Sequence, residues 1–359
     1  MTAATEMVWL GADRFDEHRV EMPELWPGEV LVRVLVAGVC GSDRHTVLGH
    51  RDAPCPSVLG HESVGEIVAI GSPGRDAPAP TDVGGGDLQV GDRVVWSVTV
   101  ACGQCDRCRA GVTAKCRHLR KVGHERADSG WPLSGGYASH MLLPVGTAIT
   151  RVPDRLGNRA ASLASCAGGT AVAALEVATR MLGRADLSGL EVLVVGAGAL
   201  GTIATAGAVA LGGQVAVCDL SDERLRTAGR FGARVHEPGS ATAGCFDVAL
   251  EFSGTPSGVH SGLAGLRLGG VLVMVGAVSP IGEVAVDPEH VVRDHLTITG
   301  VHNYEPRHLV RAVELLARDP LWEELVEAPL PLARLHDALL EPAADSRTLR
   351  RSVAAVTRG

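Results

Sequence analysis

The stretch Val194-Val195-Gly196-Ala197-Gly198-Ala199-Leu200-Gly201 places Gly-x-Gly-x-x-Gly directly after a β-branched run and before a helical pattern. The first glycine makes the turn and the second lets the backbone approach a pyrophosphate. The third lets helix and strand pack closely, with the anion on the helix N-terminus. By itself such a string is an ordinary βα turn. Its surroundings decide the matter: Val192–Val195, Leu200–Leu211, Val215–Cys218, Ser221–Phe231, Val248–Phe252, Val259–Leu268 and Val271–Val275 alternate between strand and helix patterns. That alternation predicts an α/β domain with a doubly wound parallel sheet and right-handed crossovers. Asp219 ends the second strand, about 20 residues past the glycines, where a carboxylate accepts both ribose hydroxyls of NAD and repels a 2′-phosphate. Gly196, Gly198, Leu200, Gly201 and Asp219 are therefore cofactor-binding candidates, and NAD is the expected cofactor. Arg224, one turn into the next helix, reads either as a contact to the adenosine ribose or as a solvated helix charge.

A chain of 359 residues exceeds what one core organises, so two domains are expected. Apolar residues make up 46% but aromatic ones only 3%, leaving a Val, Leu, Ala and Ile interior of the kind parallel sheets prefer. Upstream of the alternating region the text is different. Glu29–Val39, Val64–Ile70 and Gly91–Trp96 read as strands, Ser72–Gln89 as an exposed loop, and short strands and turns continue to Val152, the pattern of a mainly β domain. Ala160–Leu182 has helical periodicity. Beyond Thr299-Gly300 a helix near Leu309–Ala317 leads a tail that rejoins the first domain. The expected division is residues 1–165, 166–303 and 304–359.

Net charge is −8 with both signs interspersed, which offers no basic footprint for nucleic acid or an anionic membrane. No window reaches the roughly 18 apolar residues of a membrane span, and Met1–Leu10 lacks the features of a signal peptide. A cytoplasmic protein acting on a small molecule is expected. In that compartment nine cysteines argue for metal or catalysis over disulfides. Cys102, Cys105, Cys108 and Cys116 offer four soft ligands in one compact lobe, which suits a tetrahedral structural zinc with no open position; free thiols or an iron–sulfur centre are the alternatives. Gly60-His61-Glu62-Ser63-Val64-Gly65 is a surface turn when read alone. Its significance depends on Cys40, Ser42, Asp43 and His45 upstream and Cys166 far downstream.

The four-cysteine lobe, the Gly-His-Glu segment with Cys40, and the late dinucleotide fingerprint together resemble the zinc-containing alcohol dehydrogenases of the medium-chain dehydrogenase/reductase family over nearly the whole length. The resemblance implies a GroES-like catalytic domain plus a Rossmann domain, two zinc ions per chain, and reversible hydride transfer between an alcohol and NAD. It implies that Cys40, His61 and Cys166 hold the catalytic zinc; without it, Cys166 reads as a buried core cysteine. Glu62 resembles a carboxylate that approaches the ion during ligand exchange, and Asp43 is placed to orient the His61 ring or to cap a turn. Ser42 and His45 resemble a proton relay, Thr170 a residue beside the nicotinamide, and Val275 with Ala277 the backbone that binds its carboxamide. Closure about Cys166 and Gly300 would gate the reaction. An exposed sheet edge near Val284–Val286 implies a homodimer or homotetramer.

Within the family, Lys121–Glu125, Ser134–His140 and Gly300–Tyr304 resemble a branch associated with phosphonate metabolism. Arg51 and Lys121, one of only two lysines, fall where the family sets apolar channel residues, with His50 and His124 nearby. A polar or anionic alcohol such as a hydroxyphosphonate is the expected substrate. The alternatives are a polyol or cyclitol dehydrogenase, or a non-catalytic zinc-bearing module of the same fold.

Overall fold

The computed structural model describes residues 3–72, 79–236, 244–343 and 345–355. They divide into two compact units, Met1–Cys166 with Glu305–Gly359, and Ala167–Tyr304.

In the first unit the valine-rich run becomes the strand Val30–Gly38, which pairs antiparallel with Glu62–Ile70 on one side and with His140–Leu143 and Ser352–Ala354 on the other. Arg93–Val100 extends the sheet and pairs in turn with Arg120–Lys121 and Thr147–Arg151. Val32, Ile67, Val94, Trp96, Tyr137 and Met141 form the centre of its core, joined by Leu335 and Leu339 from the returning tail. Gly65 lies mid-strand because a Cβ there would stand 2.8 Å from the Arg33 carbonyl oxygen. A second, smaller sheet of Ala3–Trp9, Phe15–Glu21 and Ser57–Val58 was not visible in the sequence pattern. Its second strand is mostly exposed, so it lacks the two-residue burial alternation that would have marked it.

The second unit is a six-stranded parallel sheet ordered Arg234–Val235, Gln214–Cys218, Glu191–Val195, Phe246–Glu251, Leu266–Met274 and Thr297–Gly300. The order reverses between Glu191–Val195 and Phe246–Glu251, the switch point at which open α/β sheets bind ligands. One unit is thus built on a mixed, mainly antiparallel sheet and the other on a parallel α/β sheet.

Four expectations change. The helix anticipated at Val259–Leu268 runs Pro256–Ala264, stops at Gly265, and yields Leu266–Met274 to the sheet. Ala160–Leu182 breaks into Asn158–Ser162, a π-helical turn at Ala164–Gly168, and Gly169–Met181. Val284–Val286 is irregular, and the edge of the sheet is Thr297–Gly300. Of Ser72–Gln89, residues 73–78 lie outside the described residues. The remainder is not wholly exposed: Asp82 and Leu88 are buried, and the Asp82 carboxylate accepts the Gly84 and Arg151 N–H groups.

Candidate active site

Cys40 precedes the helix Gly41–Val47, which carries Ser42, Asp43 and His45 within two turns. The strand Glu62–Ile70 opens beside it, and His61 is set by Gly60, whose φ of +94° and contact with Tyr137 leave no room for a side chain. Cys166 arrives on the π-helical turn, a local insertion that recurs at functional sites. The preceding residue pins that turn: Ser165 Oγ donates to the Ser63 carbonyl at 3.1 Å.

Ligand atoms of Cys40, His61 and Cys166 all lie within 4.8 Å of one another, as three corners of a tetrahedron around zinc require. Ser42 Oγ is 3.3 Å from both Cys40 Sγ and His61 Nε2, so Nε2 faces the cysteines. The opposite nitrogen, Nδ1, lies 3.3 Å from Asp43 Oδ1, at ion-pair distance but without hydrogen-bond alignment. The thiol of Cys166 hydrogen-bonds the Cys40 sulfur and holds it well below the ordinary cysteine range, with His61 and Arg350 adding their charge. That bond and burial push Cys166 well above it. Burial works against charge on His61, yet Asp43 and Cys40 outweigh it and raise its pKa to about 10. The set thus shares protons that a dication displaces on binding, the linkage expected of thiolate and imidazole ligands.

Two residues at this site were not anticipated from the sequence. Arg350 donates from Nε to Glu62 Oε2 at 2.7 Å and from Nη2 to Oε1 at 3.3 Å, and Nη2 lies 3.9 Å from Cys40 Sγ. Burial raises the Glu62 pKa while Arg350 opposes the rise. The pair explains how a carboxylate with no exposed surface stands behind the ligand set. Tyr137 OH donates to Asp43 Oδ2 at 2.8 Å, completing a chain from Tyr137 through Asp43 to His61. Tyr137 sits within the Gly-Gly-Tyr string, whereas nothing in the tail marks Arg350.

His124 lies against the set, its ring centroid 5.0 Å from that of His61. Its Nδ1 pairs with the Val122 carbonyl oxygen at 2.8 Å; since a carbonyl only accepts, Nδ1 carries the proton and Nε2 is left as an acceptor. Burial first, then His61 and Lys121, hold its pKa well below the usual value, so the ring is neutral. Lys121 is half-buried, and its pKa is lowered by burial and then by Arg51, while Cys166 acts in the other direction. His45 is exposed with Nδ1 3.4 Å from His50 Nδ1, so His50 lies beside His45, whereas Arg51 acts on both Lys121 and His124.

The lobe brings Cys102, Cys105, Cys108 and Cys116 within the same 4.8 Å limit. Backbone N–H groups of Cys102 and His118 point at Cys116 Sγ at 3.3 Å each, a field that favours thiolate. Backbone hydrogen bonds lower Cys105 to about 6, while burial and the neighbouring thiols raise Cys108 to about 12. Four sulfurs gathered this closely, one of them facing two backbone N–H groups, fit a closed tetrahedral ion.

In the second unit, Gly196 has φ +93°, and a Cβ on Gly201 would stand 1.8 Å from the Gly196 carbonyl oxygen, while one on Gly198 would meet nothing within 4 Å. That is the cradle of a backbone turn with one open face, from which the helix Ala199–Ala210 starts, with Leu200 in its first turn. Asp219 Oδ2 accepts the Ala197 N–H at 2.7 Å and Oδ1 the Ser221 N–H at 2.9 Å. Two of its four acceptor positions take no hydrogen bond among the described residues. Arg224 Nη1 is 3.8 Å from Asp219 Oδ2. Thr170 is half-buried in the first turn of Gly169–Met181; Val275 is buried and Ala277 exposed just past the end of Leu266–Met274.

Residues 26–154 match the alcohol dehydrogenase GroES-like domain, and residues 199–318 the zinc-binding dehydrogenase family. The chain is 32% identical over 300 residues to the L-threonine 3-dehydrogenase of Shewanella sp. (strain ANA-3), covering 79% of each chain. It is 31% identical over 303 residues to that of Edwardsiella ictaluri (strain 93-146), covering 80% of each. Among solved structures, an alcohol dehydrogenase from Thermotoga maritima superposes with a TM-score of 0.88 at 27% identity over 99% of this chain and 100% of the other. The alcohol dehydrogenase TADH from Thermus sp. ATN1 gives 0.81 at 26%, over 98% and 100%. With the cysteine and histidine sets in place and both halves matched, the chain belongs to the zinc-containing alcohol dehydrogenases of the medium-chain dehydrogenase/reductase family, enzymes that act on CH–OH groups with zinc and a nicotinamide dinucleotide.

Proposed function

We propose that the protein is an NAD-linked dehydrogenase of a small alcohol that carries an anionic group, a phosphonate, phosphate or carboxylate. The observation that carries this reading is the place of neutral His124 against His61, with half-buried Lys121 three residues before it and subject to the charges of Arg51 and Cys166. Two mutually repelling cations beside an alcohol site are relieved by a substrate anion. The L-threonine 3-dehydrogenases among the relatives act, by their name, on a hydroxy amino acid, a substrate of the same anionic class.

Cys40, His61 and Cys166 are assigned to the catalytic zinc, and Cys102, Cys105, Cys108 and Cys116 to the structural one. When bound, zinc acidifies the alcohol as a Lewis acid and NAD accepts the hydride. The chain does the rest. Asp43 and Tyr137 orient His61, and Glu62 with Arg350 sets the charge behind the ligands. Ser42 takes the alcohol proton, and exposed His45 delivers it to solvent. His124 Nε2 accepts from a polar group of the substrate. Thr170, Val275 and Ala277 hold the nicotinamide, and Asp219 selects NAD over NADP. Nine cysteines, none in a disulfide among the described residues, suit the cytoplasm, and the Thr297–Gly300 edge offers a surface for a homodimer or homotetramer.

The test is an initial-rate screen with NAD, and NADP as control, across hydroxyphosphonates, L-threonine, polyols and simple alcohols. Arg51→Ala and Lys121→Ala should each raise KM for the anionic substrate by about tenfold or more while leaving simple alcohols within about twofold. Equal activity of the parent on ethanol or benzyl alcohol would overturn the anionic assignment. Polyol activity that is insensitive to both substitutions would favour the polyol reading.

A further inference from the structure

Glu251 is the last residue of the strand Phe246–Glu251, has no exposed surface, and carries a carboxylate that the reaction does not use. Its Oε1 accepts from Ser253 Oγ at 2.6 Å and from the Gly254 N–H at 2.8 Å, whereas Oε2 has no hydrogen-bond partner among the described residues. A buried carboxyl group that is only half paired is a poor core filler. What it does hold is a turn with no slack. Gly254 has φ +64°, and a Cβ on it would lie 2.5 Å from the Gly276 carbonyl oxygen. A Cβ on Gly276 would lie 2.2 Å from the Gly254 nitrogen, and one on Gly196 would lie 2.8 Å from the Ser253 nitrogen. The Glu251 carbonyl accepts the N–H groups of Val275 and Gly276, each at 2.9 Å, and the next residue, Phe252, donates to the Val195 carbonyl at 2.8 Å. The Ser253–Gly254 turn is therefore wedged between the glycine turn that follows one strand and the Val275–Ala277 backbone that follows another.

We infer that Glu251 is a positioning residue for the cofactor: by latching Ser253 and Gly254 it sets the spacing between the Gly196 turn and the Val275–Ala277 segment, and so the fit of the nicotinamide half. This rests on the assignment of those two segments to NAD. The latch's own hydrogen bonds, to Ser253 and Gly254, include neither Asp219 nor its donors Ala197 and Ser221, so it governs NAD and leaves an adenosine fragment alone.

The experiment is equilibrium titration of the zinc-loaded enzyme and its variants with NAD and with AMP, read by calorimetry. Glu251→Ala should weaken NAD by about tenfold and leave AMP within about twofold; Glu251→Gln, which keeps an acceptor for both donors, should stay near the parent; Ser253→Ala should weaken NAD by about threefold. Hydrogen exchange at Gly276 should rise in Glu251→Ala and not in Glu251→Gln. If Glu251→Ala fails to fold, as loss of AMP binding would show, Ser253→Ala decides, and a parent-like NAD affinity there overturns the inference. Gly201→Ala separates the premises. Its loss of NAD binding alongside an unaltered Glu251→Ala overturns the latch alone, and normal NAD binding in Gly201→Ala overturns the site assignment and the latch together.

Discussion

Tyr137 shows how a single hydroxyl reaches the proposed zinc site without being one of its ligands. Tyr137→Phe leaves Asp43 Oδ2 buried without that donor, and the carboxylate then no longer holds its place behind His61. The variant should stay folded and lose about tenfold in zinc affinity at the catalytic site, measured by competition with a chromophoric chelator; parent-like affinity would count against the chain of contacts. Lys121 gives a pH signature. Burial and Arg51 lower its pKa, so the charged form that attracts an anion is present below that lowered value and lost as pH rises through it. KM for the anionic substrate should climb at a lower pH than an ordinary lysine would allow, and Lys121→Arg, charged throughout, should flatten the climb. An identical pH profile in Lys121→Arg would remove Lys121 from the site. Cys40, His61 and Cys166 were legible because ligand chemistry restricts residue type, and a family pattern supplied their grouping. Arg350 and Tyr137 were not, since a partner 288 or 94 residues away in the chain leaves no spacing to read.

At the level of elements, the cysteine lobe is tied to a helix that begins far along the chain. The Glu305 carboxylate accepts from the backbone N–H groups of Thr113 at 3.0 Å and Ala114 at 3.1 Å and from the Thr113 hydroxyl, while the Glu305 N–H donates to His308 Nδ1 at 2.9 Å. Glu305 thus caps the helix Pro306–Leu316 and anchors the lobe at once. Cys105→Ser should reduce the metal content from about two ions to about one, with hydrogen exchange rising at Thr113–Lys115 and in the first turn of Pro306–Leu316. Retention of both ions would show that the four thiols are not a metal site. The doubly wound elements were the easiest to read, because a glycine turn and a strict alternation specify both period and order. Strands of two residues such as Ser57–Val58 and Arg120–Lys121 carry no period at all, and the break at Ala164–Gly168 is invisible in an alanine-rich run that favours helix throughout.

For the molecule as a whole, both proposed ions belong to the same unit, Met1–Cys166 with Glu305–Gly359, and the dinucleotide turn belongs to the other. Stripping the enzyme with a strong chelator should therefore raise hydrogen exchange across the first unit and lower its thermal midpoint, while Glu191–Val195 and Phe246–Glu251 keep their protection. Equal loss of protection in both units would contradict this division. Composition foresaw the α/β class; the return of a tail to the first domain was expected from the change of pattern past Thr299-Gly300, and hydropathy itself holds no record of which distant strands meet.

The ion pair between Glu62 and Arg350 carries a consequence for how the protein is made. During synthesis Glu62 leaves the ribosome nearly three hundred residues ahead of its partner, and the uninterrupted stretch Ala167–Tyr304 is complete before Arg350 exists. The contiguous dinucleotide unit can fold while the chain is still tethered. The unit that carries the cysteine and histidine sets must wait for the strand Ser352–Ala354 and for the guanidinium just before it, so the surroundings of Glu62 are completed only after Arg350 has emerged.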